Sequence, residues 1–380
     1  MAEVPVSPAL LRWAREYRGL SEGEAAKRLG MSLEDLRAYE EGQRLPTVTA
    51  FENFATKYKL PQATLFRSSP PKLPPSPVDF RTLGGVRSVG SFEYQIALSE
   101  VRSLLAELRR IAADDEEFKK PELPQFSQSD DPERVGALER ARIGPTVDEQ
   151  LSWQPGEAFR RWRALVEKQR VSVFLKKYPW SDSRGFSLYD FPETPAIVVN
   201  KNEDAEVARS FSLLHEYAHL LIRRPGVSDH NPSNPVESFC NRFAASFLMP
   251  DAALRRVLPY WPNRPVEWDR SSILSWSRKL KVSQPALALR LEQAGLAPVG
   301  FYARYSRPNQ APPQKRTDGK PSYVTTRLSE LGGNYPTMIM DALDRRIISD
   351  VTAVEALGLR SEHFERVRAS VARQASLAAA

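Results

Sequence analysis

The stretch Phe211-Ser212-Leu213-Leu214-His215-Glu216-Tyr217-Ala218-His219-Leu220-Leu221 places two histidines four residues apart within an apolar run. Coiled as one helix, it brings both imidazoles to the same face, about one turn apart, where they can share one cation. Glu216 follows the first histidine and can take a proton from a water on that cation without binding the ion. A third ligand must come from an element packed alongside. Glu237 opens a second helical run whose inward face reads Glu237, Asn241, Ala244 and Ala245. Glu237 follows His219 by eighteen positions, which leaves room for a helix end, a loop and a return. Two histidines and a glutamate leave a fourth position for water, the open arrangement of catalytic zinc. One zinc per chain is expected, although Mn²⁺ or another divalent ion suits the same ligands. HExxH also arises by chance on surface helices. The apolar flanks argue for a buried helix instead, where uncompensated histidines and a carboxylate would be costly.

Residues 212–221 (SLLHEYAHLL) together with residues 237–250 (ESFCNRFAASFLMP) resemble the ImmA/IrrE family of zinc metallopeptidases. Residues 195–200 (PAIVVN) resemble the strand that enters that family's active-site helix. The resemblance implies a thermolysin-like fold, with His215, His219 and Glu237 as zinc ligands and Glu216 as catalytic base. It also implies a role in relieving repression by cutting a repressor, often under stress. Arg223 stands where members often carry a further histidine; the metal is expected to remain.

The chain has 380 residues, 27% charged and 41% hydrophobic, which suits two or three globular domains. No basic segment followed by an apolar core opens it, and no apolar run reaches membrane-spanning length, so a cytoplasmic protein without a membrane partner is expected. Cys240 is the single cysteine, which excludes an intrachain disulfide. Three residues past Glu237, it is within range of the metal or of oxidation chemistry, but a small buried packing residue is the simpler expectation. The net charge of +7 is uneven: Lys+Arg against Asp+Glu run 10 to 9 in residues 1–69, 24 to 27 in 70–254 and 20 to 11 in 255–380.

Residues 1–67 read as a bundle of short helices. Pro8 starts the first, Ser21 with Glu24 forms a capping box for the second, Gly30 ends it, Ser32 caps the third, and Pro46 precedes the fourth. Residues 11–21 and 39–47 resemble the XRE/Cro helix-turn-helix family, which implies DNA binding. Lys27, Ser32, Arg37 and Arg44 are the candidate DNA contacts. Glu22, Glu34 and Asp35 would turn negative charge toward phosphates, so a dimerisation or partner-docking module is the alternative.

A proline-rich linker spans 68–90, in which Asp79 and Arg81 suggest a local ion pair. A peptidase domain is expected over 91–300, with helices near 93–111 and 155–168, a loop over 112–131, and strands near 171–175, 185–188 and 196–199. A small sheet over the metal helix would use an exposed edge strand to hold substrate extended. A trailing helix-turn-helix-like pair over 271–296 carries Arg278, Lys279, Lys281 and Arg290, either a second nucleic-acid contact or a solvated basic face. A mobile loop is expected over 301–325, and a helical segment over 326–380 that packs on the peptidase or on a second copy as a homodimer.

These readings assemble into an α+β multidomain protein. Asn241, one turn past Glu237, can orient a ligand histidine, or can merely cap or pack. Oxyanion donors are sought among His230, Tyr178 and Tyr217, each of which also has a structural reading. Two functions stay open. One is a zinc endopeptidase whose helix-turn-helix brings it to DNA or to a protein substrate, a repressor. The other is a transcription regulator or antitoxin-like binding protein with a non-catalytic zinc site.

Overall fold

The computed structural model describes residues 2–72, 78–79, 90–154, 156–203, 206–228, 234–305, 322–369 and 371. They form two compact units, one drawn from residues 1–76, 87–102 and 177–182, the other from the remainder.

The first unit holds α1 (Pro8–Tyr17), α2 (Glu22–Leu29), α3 (Leu33–Glu40), α4 (Val48–Tyr58), α5 (Gln62–Leu65) and the opening turns of α6 (Phe92–Asp114). Local chemistry sets these boundaries. Ser21 and Glu24 close a reciprocal capping box, and Ser32 and Thr47 cap α3 and α4 by accepting from Asp35 and Ala50. Gly30 ends α2 at a left-handed φ of 69°, which costs glycine nothing. Leu11, Ala14, Leu36, Phe51, Phe54 and Tyr58 form the core. Inside the bundle, Arg15 grips Glu40 through two bonds of 2.9 Å, a charged pair that joins α1 to α3.

The second unit is built on a mixed five-stranded sheet of order β1-β5-β3-β4-β2. The strands are β1 (Val78–Asp79), β2 (Ser172–Lys176), β3 (Gly185–Leu188), β4 (Ala196–Asn200) and β5 (Gly226–Ser228). β2 runs parallel to β4, β1 runs parallel to β5, and β3 is antiparallel to both of its neighbours. Every residue of β2, β3 and β4 is buried, so both faces of these strands are covered. Val173, Leu175, Ile197 and Val199 face the main core, whereas Phe174 meets Tyr335 edge-on on the other side.

α7 (Pro132–Ile143), α8 (Val147–Ser152) and α9 (Ala158–Glu167) precede β2, and α10 (Glu206–Leu221) follows β4. After β5 come α11 (Pro235–Leu248), α12 (Asp251–Val257), α13 (Arg270–Leu280) and α14 (Gln284–Gln293). α15 (Tyr323–Leu331), α16 (Asn334–Asp344) and α17 (Asp350–Leu357) close the chain, with α15 and α16 lying against β2. The C-terminal helices therefore cover the sheet's second face, which answers the packing expected of them within one chain.

Several sequence expectations change. α7 and α8 were not foreseen, and α7 fills part of the segment between the two expected helices. The loop assigned to 301–325 holds a 3-10 turn at Tyr302–Arg304 and the start of α15 at Tyr323; residues 306–321 lie outside the described residues. So do residues 73–77 and 80–89, among them Arg81, and the side chain of Asp79. Among the described residues, no helix is long and apolar enough to cross a membrane.

Candidate metal centre

α10 and α11 pack against each other and carry the site. α10 is apolar on nearly every side because it is enclosed: Phe211 through Leu221 are all buried. Asn234 caps α11 by accepting from the Val236 amide, Pro235 occupies the first turn, and Glu237 sits where the helix dipole favours an anion.

The side chains predicted to converge do so. The Nε2 atoms of His215 and His219 are 3.2 Å apart. Glu237 brings Oε2 to 3.2 Å from the first and Oε1 to 3.1 Å from the second. Each outer ring nitrogen faces an acceptor: Nδ1 of His219 lies 2.8 Å from the Arg224 carbonyl, and Nδ1 of His215 lies 3.0 Å from Oδ1 of Asn241. Those contacts hold the ring hydrogens on Nδ1 and aim both Nε2 lone pairs inward. Asn241 thus contacts the His215 ring across the two helices.

This donor set fits a divalent cation. Ligand atoms about 2.0–2.1 Å from a tetrahedral zinc stand roughly 3.3 Å from one another, and the observed separations of 3.1–3.2 Å match. The electrostatics agree. Burial opposes charge on Glu237, but the histidine pair outweighs it and holds the carboxyl well below the usual carboxylate range. Burial pushes His215 down, whereas at His219 burial is overcome by Cys240 and Glu237 and the ring is raised.

Glu216 is also fully buried. The start of β3 passes directly over it: a Cβ at Gly185 would stand 3.1 Å from Cγ of Glu216 and 2.9 Å from the Val198 carbonyl, so only glycine lets strand and helix approach this closely. The sequence did not say which strand forms the exposed edge, and it is not β3. Gly185 pairs with Ser228 and Phe186 with Val227, so β5 occupies that edge, and the sheet's outer strands are β1 and β2. The short β5 carried no alternating pattern that could have announced it.

Sequence reasoning also missed the brace behind α10. Tyr217 donates to Oε2 of Glu139 at 3.2 Å and accepts from Nη2 of Arg142 at 3.0 Å, both on α7. Burial first, then Glu139, raises the Tyr217 hydroxyl far above its ordinary value. Tyr217 is therefore an anchor and is corrected as an oxyanion candidate. Tyr178, another candidate, lies in the first unit and packs edge-on against Tyr94; His230 falls outside the described residues. Asp131, Pro132 and Glu133 in succession form a helix-start signal that would have revealed α7.

The candidate DNA contacts are all exposed, and three are engaged locally. Arg37 pairs with Glu22 at 2.7 Å, and Arg44 pairs with Asp35 at 2.6 Å while stacking over Tyr39. Ser32 caps α3. In the trailing helix pair, Arg278 and Lys279 are exposed, but Arg290 is buried and bridges Glu133 and Asp251 at 2.7 Å each. Arg290 is a structural clamp, neither a nucleic-acid contact nor part of a solvated face.

Comparison with family models matches residues 166–292 to the IrrE N-terminal-like domain, Peptidase M78. Residues 9–65 match a helix-turn-helix domain. The chain joins a helix-turn-helix domain to an IrrE N-terminal-like domain. The IrrE-like match takes in β2, α10 and α11, hence every residue of the cluster, while the helix-turn-helix match spans α1 to α5. Searches of curated proteins and of solved structures returned no match.

Proposed function

We propose that this chain is a zinc-dependent endopeptidase of thermolysin-like fold that cuts a transcriptional repressor or partner regulator. One observation supports the reading above others: three donors on two helices converge to 3.1–3.2 Å with Glu216 buried one residue from the first. His215, His219 and Glu237 would hold the ion. When bound, zinc supplies Lewis acidity for the scissile carbonyl and for water. Glu216 takes the proton of the attacking water and delivers it to the leaving amine. Asn241 and the Arg224 carbonyl keep the imidazoles oriented, and Tyr217 with α7 fixes the helix that carries them. The cluster is shielded from solvent, so the protein must open to admit a peptide.

In this proposal the helix-turn-helix domain brings the peptidase to DNA or to a DNA-bound substrate in the cytoplasm. Incubation of candidate repressors with the purified chain, with and without a chelator, tests the reading on a gel. Cleavage that stops with chelator and in Glu216→Gln supports it. Intact repressors throughout, with zinc at one per chain, favour the regulator or antitoxin-like alternative.

A further inference from the structure

Cys240 was expected to be a packing residue, and it does lie in the main hydrophobic core, but it also borders the histidine pair. Its thiol is fully buried, and Sγ lies within 4.8 Å of ligand nitrogens on both His215 and His219. Glu237, Cys240 and Asn241 stand at i, i+3 and i+4 of α11, so all three project from the face turned toward α10. The two neighbours of Cys240 on that face already serve the cluster, Glu237 as a donor and Asn241 as the holder of His215. A sulfur and a nitrogen on one tetrahedral zinc stand about 3.6 Å apart, given bond lengths of about 2.3 and 2.0–2.1 Å. The thiol therefore needs a shift on the order of 1 Å, within the range of a cysteine rotamer.

We propose that Cys240 Sγ is the fourth protein donor to the cation, closing the coordination that the His215, His219 and Glu237 set leaves open. This rests on the metal-site reading above. Soft sulfur suits zinc, and a thiol that coordinates loses its proton to solvent as the bond forms, with no change of oxidation state. Two histidines, a carboxylate and a thiolate make a closed set, the arrangement of a resting or structural site. In the resting protein, the place next to Glu216 is then taken by sulfur, and water gains it only when Cys240 withdraws.

Zinc-edge X-ray absorption on the full-length protein loaded with zinc alone tests this, with metal content measured on the same sample. The expected result is one sulfur at about 2.3 Å beside nitrogen and oxygen at about 2.0–2.1 Å. Cys240→Ala should retain one zinc per chain and lose the sulfur shell. Full zinc occupancy in the wild type with only nitrogen and oxygen neighbours overturns the proposal and leaves the metal site standing. A sulfur shell that persists in Cys240→Ala also overturns it, because the scatterer would then be a methionine. A wild type that binds no zinc overturns the metal-site reading itself. Should Cys240→Ala not fold, the wild-type spectrum and Cys240→Ser decide the matter.

Discussion

The metal cluster and the surface of α3 both gather opposite charges within 3.3 Å, and the two arrangements have opposite physical meaning. In the cluster, His215, His219, Glu216 and Glu237 are removed from water, so each charge is worth several kcal/mol and must be matched. Beside α2 and α3, Arg37–Glu22 and Arg44–Asp35 are exposed pairs screened by solvent, and water or a phosphate can replace either partner. Buried charge therefore has to be matched, by a protein partner as at Arg15 or by an ion, whereas paired surface charge says little about a partner.

The sharpest way to break this contrast is Glu216→Gln. Loss of the proton carrier should lower the cleavage rate by about 10²–10⁴-fold in single-turnover assays. Zinc content should stay at the wild-type level, and a fall in zinc would make Glu216 a ligand instead. Next is Asn241→Ala, which releases His215 and should weaken metal affinity by about 10–100-fold in a chelator competition.

Arg290 lies between the two extremes, being buried while its partners are partly exposed. Arg290→Met should cost about 1–2 kcal/mol in urea unfolding, less than a wholly buried pair would. The pH dependence follows from Glu133. Burial pushes that carboxyl up, but Arg290 and Arg242 outweigh burial and hold it below its ordinary range. Its stabilisation is complete above the unfolded value of about 4.3 and is lost as pH falls from there through the lowered folded value. Arg290→Met should flatten this acid limb, and an unchanged limb would show that Arg242 alone sets it. The smallest effect is expected for Arg37→Ala or Arg44→Ala, each leaving the urea midpoint close to the wild-type value. A larger loss would show that α3 depends on these pairs.

Much of the helix-turn-helix domain was legible because its boundaries are written in neighbouring residues. Caps at Ser21, Ser32 and Thr47 and the left-handed Gly30 act over a few positions of chain. The HExxH spacing and the distant Glu237 were legible for the same reason, since one turn of helix fixes which side chains share a face. α7 and β5 were not. α7 is arginine-rich and holds its place through Glu139, Arg140 and Arg142, whose partners are up to 107 residues away. β5 is three residues long and exists as a strand only because β3 and β1 pair with it.

Sequence alone thus settled which residue types were available to a cation and on which helical faces they lie, because helical periodicity is a local property. Tertiary structure decided the rest: that β5 covers the edge of β3, that Arg290 is a buried clamp, and that Cys240 stands beside the histidines. Each of these depends on burial and on which helix or strand packs against which. Such choices are made by the summed contacts of the whole core, and no short stretch of chain contains them.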